Sequence, residues 1–123
     1  MPTRRANSQL ARYQAQYRAL AQRVAEIGFI ASGSVALRYN RCGKSACACH
    51  GEPPRLHGPY WQWTAKVNGK TVNRRLSEAD ANRYQEWIAN DRALHALIND
   101  MRDIANKATQ LILTEADNPP AKV

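Results

Sequence analysis

Acidic residues are nearly missing from the first two-thirds of this 123-residue chain. Up to Leu76 only Glu26 and Glu52 stand against 13 Lys and Arg, a net +11, whereas residues 77–123 carry 8 acids against 5 bases, a net −3. So lopsided a charge argues for a polyanionic partner of the first part, since a surface of that sign concentrates nucleic acid or an anionic membrane before any specific contact forms. Long apolar runs are lacking too. Nothing approaches the roughly 20 residues of a membrane span, and Met-Pro-Thr-Arg-Arg is not followed by the apolar core of a secretion signal. The expectation is a cytoplasmic protein without a membrane partner, nucleoid-associated if it binds DNA. Cysteine is absent outside residues 42–49, and three cysteines in a reducing compartment do not make a disulfide framework. At 13.8 kDa the core is that of one small domain with helical extensions.

What is present is concentrated in Arg38-Tyr-Asn-Arg-Cys-Gly-Lys-Ser-Ala-Cys-Ala-Cys-His50 and the following His57-Gly-Pro-Tyr60. The stretch has too little apolar material for a core of its own, so a metal ion is expected to hold it. Cys42, Cys47 and Cys49, spaced C-x4-C-x-C, with His57 offer three thiolates and an imidazole, the donor set of a tetrahedral structural zinc site. His50 is the rival fourth ligand; next to Cys49 in sequence, it converges on one ion less easily. A thiol nucleophile, Cys49 with His57 as base, is the enzymatic alternative, but only Glu52 is near and no substrate pocket is suggested, so no catalytic residue is expected.

Around this stretch the periodicity is regular. Leu10, Tyr13, Tyr17, Leu20, Val24 and Ile27 recur at spacings of 3 and 4, a heptad seam with Asn7 or Ser8 as its cap and Gly28 as its stop. Residues 33–39 alternate, with Val35, Leu37 and Tyr39 on one face of a first strand. Pro53, Pro54 and Pro59 interrupt regular structure in the loop. Asn68-Gly69 between two strand-like runs, residues 60–67 and 70–76, specifies a two-residue type I′ hairpin that pairs Val67 with Lys70. The register then places Trp61, Trp63 and Ala65 with Leu76, Arg74 and Val72 on one face, and Gln62 and Thr64 with Arg75 and Asn73 on the other. Ser77 and Asp80 form a capping-box-like start to a helix running to about Thr114, whose seam is Trp87, Asp91, Leu94, Ile98, Met101, Ala105, Ala108 and Ile112. Tyr84, Ile88, Leu97, Ile104 and Leu111 broaden it.

The expected fold is therefore α+β: a small three-stranded antiparallel sheet with a Cys/His loop, flanked by two long helices forming an antiparallel hairpin. Its parts would be an N-terminal heptad helix over 1–28, a zinc-braced β head over 29–76, a C-terminal heptad helix over 77–115 and a disordered tail over 116–123. The tryptophans belong to the core beneath the second helix, against Tyr84 and Trp87. The opposite hairpin face, Gln62, Thr64, Lys66, Asn73 and Arg75 with Arg38 beside it, carries the side-chain types that read base edges and phosphates. Arg41, Lys44 and Arg55 would hold phosphates. DNA is preferred to RNA as partner. The competing expectation is an assembly module whose heptad helices form a homodimer or bind a larger protein, its head contacting RNA or no nucleic acid.

The Arg-Tyr-Asn-Arg-Cys-Gly-Lys-Ser-Ala-Cys-Ala-Cys run from Arg38, His57-Gly-Pro-Tyr-Trp61 and Lys66-Val-Asn-Gly-Lys-Thr71 resemble a family of short prokaryotic proteins of uncharacterised function often associated with mobile elements and transposases. The resemblance covers roughly residues 30–115 and implies an accessory or regulatory protein of such an element. Here Glu52-Pro-Pro-Arg-Leu56 replaces that family's usual Gly-rich, charged segment. Residues 61–87, strand, Asn-Gly, strand and helix, are also similar to arm-type DNA-binding domains of phage integrases, which lay a three-stranded sheet in the major groove; they share no cysteine motif with this chain.

Overall fold

The computed structural model describes residues 3–117. The elements are α1 (Arg4–Ala25), β1 (Ser34–Asn40), a single 3-10 turn (Ala48–His50), β2 (His57–Val67), β3 (Lys70–Leu76) and α2 (Glu78–Asp117). The strands form one antiparallel sheet in the order β1-β2-β3. This is the expected α+β class. No helix among the described residues is long and apolar enough to cross a membrane. The chain divides into two compact units, Phe29–Asp91 and a helical one of residues 3–28 with 92–117.

In the first unit the hairpin follows its turn. Asn68 and Gly69 take positive φ of 53° and 80°, as a type I′ turn requires, and the pairs run from Val67 with Lys70 through Ala65 with Val72 and Trp63 with Arg74 to Trp61 with Leu76. Trp63 and Ala65 are buried with Ile88 of α2, and Ala31, Val35, Val72, Leu76 and Tyr84 close the cluster. Tyr84 meets both Trp63 and Trp87, with ring centroids 5.3 and 5.1 Å apart. Ser77 caps α2 by accepting from the Asp80 N–H at 3.1 Å. The segment before β1 is tied to the same helix, Ala31 N–H donating to Trp87 O at 3.1 Å and Asn90 Nδ2 to Phe29 O at 2.8 Å. Of the apolar face expected on β1 only Val35 joins the cluster, and Leu37 and Tyr39 are exposed.

In the second unit α1 runs antiparallel to the later part of α2: Gln9 and Tyr13 lie beside Leu111, whereas Leu20 and Arg23 lie beside Asp100 and Ile104. The helix begins earlier than its seam suggested. Thr3, not Asn7 or Ser8, is the cap, its Oγ1 accepting from Ala6 N–H at 2.9 Å, and the extra turn brings Ala6, four residues before Leu10, into burial. On α2 the stripe is turned slightly from expectation: Leu97 is buried and Ile104 and Leu111 half-buried, while Ile112 and Leu113 are exposed. The helix also continues past Thr114 to Asp117, so residues 116 and 117 of the expected disordered tail are helical. The rest of that expectation, 118–123, lies outside the described residues.

Candidate metal centre

The loop between β1 and β2 folds on hydrogen bonds, having little to bury. Cys47 N–H donates to Lys44 O, His50 N–H to Cys47 O, and both Gly51 and Arg55 N–H to Ala48 O, each at 3.0 Å. These bonds curl the backbone around one side chain, Cys49, which is fully buried. Cys42 N–H donates to Cys49 Sγ at 3.3 Å, and Arg41 Nε to Cys49 O at 3.1 Å.

Around Cys49 the structure gathers the four residues expected as ligands. One donor atom from each of Cys42, Cys47, Cys49 and His57 lies within 4.8 Å of every other. Cys42 Sγ stands 3.6 Å from Cys49 Sγ, and Cys47 Sγ 3.3 Å from His57 Nε2. Sulfurs bound tetrahedrally at about 2.3 Å to one ion would stand about 3.8 Å apart, and sulfur and imidazole nitrogen about 3.6 Å. The cluster thus fits a tetrahedral metal site. A backbone hydrogen bond at Cys49, then side-chain hydrogen bonds with Cys49, Cys42 and His57, hold Cys47 down from 9.0 to about 6, a shift that favours the thiolate a metal needs. Burial pushes the Cys49 thiol up.

His50 is kept out of the cluster. It is not among the clustered donors; its Nε2 is 2.7 Å from Cys42 O, and since a carbonyl only accepts, Nε2 carries the hydrogen and donates it. His50 braces the loop instead.

A strand irregularity brings His57 to the cluster. β2 begins at His57, three residues before the expected start at Tyr60, and Pro59, expected to interrupt structure, lies within the strand. Arg38 pairs with Tyr60 and Asn40 with His57, so Gly58 and Pro59 together oppose Tyr39 alone. This is a β-bulge, where a residue without an N–H is tolerated. Unbulged, His57 would share the core face of Trp61 and Trp63. The extra residue moves it to the face of its partner Asn40, and hence of Arg38 and Gln62. Gly58 makes the bulge possible, with φ of +118° and a would-be Cβ only 2.6 Å from Arg38 O. Gly58→Ala is therefore expected to shift β2 against β1 and weaken metal affinity at least tenfold by displacing His57. Competition with a chromophoric chelator measures this, and unchanged affinity would refute the role given to the bulge.

The basic-face residues are brought together as expected. Arg38, Gln62, Thr64, Asn73 and Arg75 share one side of the sheet by register, with Lys66, and Arg38, Lys66, Asn73 and Arg75 are exposed. Arg41, Lys44 and Arg55 are exposed on the loop, Arg41 with its Nε committed to Cys49 O. Two participants escaped the sequence reading. Tyr60 lies under Arg75, whose Cζ is 4.4 Å from the ring centroid, and its hydroxyl accepts from Asn40 Nδ2 at 2.9 Å. Carrying the hairpin register one residue past Trp61 would have placed Tyr60 diagonally beside Arg75.

No curated protein and no solved structure matches this chain. A family model does match, over residues 10–86, which takes in the later part of α1, the sheet, the cysteine loop and the start of α2. The chain belongs to the family described as Domain of unknown function (DUF6788).

Proposed function

We propose that this protein is a zinc-braced nucleic-acid-binding module that lays the open face of its sheet in the major groove of duplex DNA, as an accessory or regulatory protein of a mobile element. One observation carries the reading: the sheet is two-sided, with Trp63 and Ala65 buried on one face and Arg38, Lys66, Asn73 and Arg75 exposed on the other. Arg75 is already held against Tyr60, so less side-chain freedom is lost when it meets a phosphate or base. The bulge turns His57 to the same face, and on this reading the exposed Arg41, Lys44 and Arg55 of its loop take the flanking phosphates. The wide major groove of B-form DNA admits a sheet, whereas the deep, narrow one of A-form RNA does not. The mobile-element context rests on the sequence resemblance alone.

The donor chemistry, three cysteines and a histidine, favours zinc over harder ions. Bound zinc would hold the loop; we assign it no catalytic role, since all four side chains are ligands and no position is left for a substrate.

A salt titration with duplex DNA and duplex RNA tests the reading. DNA binding is expected to weaken with salt at a slope of about −0.9 per phosphate contacted. Lys44→Ala should weaken every sequence alike and lower the slope by about one contact. No binding of either duplex at low salt, or equal binding of RNA, would overturn the DNA reading.

Binding of a protein partner through the helical unit is a second reading, favoured by the exposure of Tyr17, Ile112 and Leu113. Concentration-dependent self-association that persists when those three are made polar would argue against it.

A further inference from the structure

In the middle of the basic face three side chains form a directed chain of hydrogen bonds. Gln62 Nε2 donates to Thr64 Oγ1 at 3.3 Å, and Thr64 Oγ1 is 2.8 Å from Asn73 Oδ1. Because Oδ1 only accepts, the single hydroxyl hydrogen of Thr64 goes to Asn73, and Thr64 meets Gln62 as an acceptor. Turning the Gln62 amide over would set its Oε1 against a hydroxyl oxygen with no hydrogen left to give. Turning the Asn73 amide over would leave the hydroxyl hydrogen without its acceptor. Turning either amide alone breaks the chain, so one threonine couples the two, and in this structure the chain runs from Gln62 through Thr64 to Asn73.

With the chain in this direction the two amides present complementary outward groups. Gln62 keeps Oε1 and one Nε2 hydrogen, an acceptor and a donor side by side. Asn73, with Oδ1 engaged, offers its two Nδ2 hydrogens. The first pattern matches the major-groove edge of adenine, where N7 accepts and the N6 amino group donates; the second matches an acceptor-only edge, guanine O6 and N7 or thymine O4. Access is open, since the β1 partners of Thr64 and Gln62 are the small Ser34 and Ala36. Arg75 and Lys66 on the same face lie on either side of the row.

We infer that Thr64 is a positioning residue for sequence readout, holding Gln62 to read an adenine and Asn73 to read an adjacent guanine or thymine in duplex DNA. This rests on the nucleic-acid reading above and adds a specificity to it. Geometry alone carries it, as none of the three groups is ionisable at neutral pH.

Selection from a randomised duplex library with the full-length, zinc-loaded chain, followed by affinity measurements on the selected site and on random duplex, tests it. Wild type is expected to select adenine at one position and to lose about tenfold or more in affinity when that base pair is replaced. Thr64→Val should erase most of this discrimination, read as the ratio of affinities for the selected site and for random duplex, and Thr64→Ser, which keeps the hydroxyl, should retain it. Gln62→Glu, with acceptors only, should move the preference from adenine to cytosine, whose N4 donates. Full discrimination by Thr64→Val, or tight binding by wild type with no preferred base, would overturn the inference and leave nucleic-acid binding standing. Failure of wild type to bind any duplex at low salt would instead remove the reading beneath it, and the inference with it.

Discussion

Cys49→Ala is expected to abolish stoichiometric zinc and to disorder the loop between Asn40 and His57, the largest change any single side chain should produce here. Cys49 is the loop's only fully buried residue, and its sulfur receives the Cys42 N–H and lies 3.6 Å from Cys42 Sγ. Without it three donors remain of a set of four, and the loop keeps only its backbone hydrogen bonds and the side-chain bonds of Arg41 and His50. Structural zinc in small finger-like units contributes about 10–16 kcal/mol of apparent binding free energy at neutral pH, and where the unbound segment has no core that energy is folding energy. The sheet has its own core in Trp63, Ala65 and Ile88, so the hairpin should persist while the loop melts. Metal content of the purified protein and amide hydrogen exchange, wild type against variant and with or without chelator, read this directly. Wild type purified without stoichiometric metal, or equal protection of loop amides in variant and wild type, would refute the metal centre.

Trp63→Ala should unfold most of the sheet unit, at a cost of about 3–5 kcal/mol. The indole is buried against Tyr84, its Nε1–H donates to Ser32 O at 2.8 Å, and Arg74 stacks on its outer side with Cζ 5.5 Å from the ring centroid. Truncation removes the largest member of a small cluster and leaves the Ser32 carbonyl without its donor. Trp63→Phe keeps most of the apolar area and loses the donor, so it should cost less, about 1–3 kcal/mol. Trp61, half-buried and outside the cluster, serves as control. Denaturant unfolding should rank Trp63→Ala as most damaging, then Trp63→Phe, then Trp61→Phe. Greater damage from Trp61→Phe than from Trp63→Ala would mean that the core is elsewhere.

Much of this molecule was legible in the amino-acid order because the deciding interactions are local. Asn68-Gly69 needs only its own two positive φ angles to set the turn, and every pair from Val67 with Lys70 to Trp61 with Leu76 follows from it by counting. The polar face of Gln62, Thr64, Asn73 and Arg75 comes from the same count. The clustering of Cys42, Cys47, Cys49 and His57 was legible because a loop with three cysteines and two histidines and little else to bury has few other ways to become ordered. The α+β class, and the antiparallel placement of α1 along the later part of α2, followed from periodicity.

What tertiary structure alone decided depends on residues far apart in the chain. The bulge sets Gly58 and Pro59 opposite Tyr39 alone and so moves His57 from the core face to the cysteine cluster. An unbulged period of two would have put that imidazole beside the tryptophans. His50 stands outside the cluster that gathers His57 with the three sulfurs, its Nε2 turned to the carbonyl of Cys42, eight residues away. Leu37 and Tyr39 stay exposed because the core cluster reaches along β1 no further than Val35, an extent that no alternation of residue types encodes. Propensity and spacing act over a few residues and can be read in order; the pairing of backbones across a loop, and the face each side chain then meets, are settled only when the two strands come together.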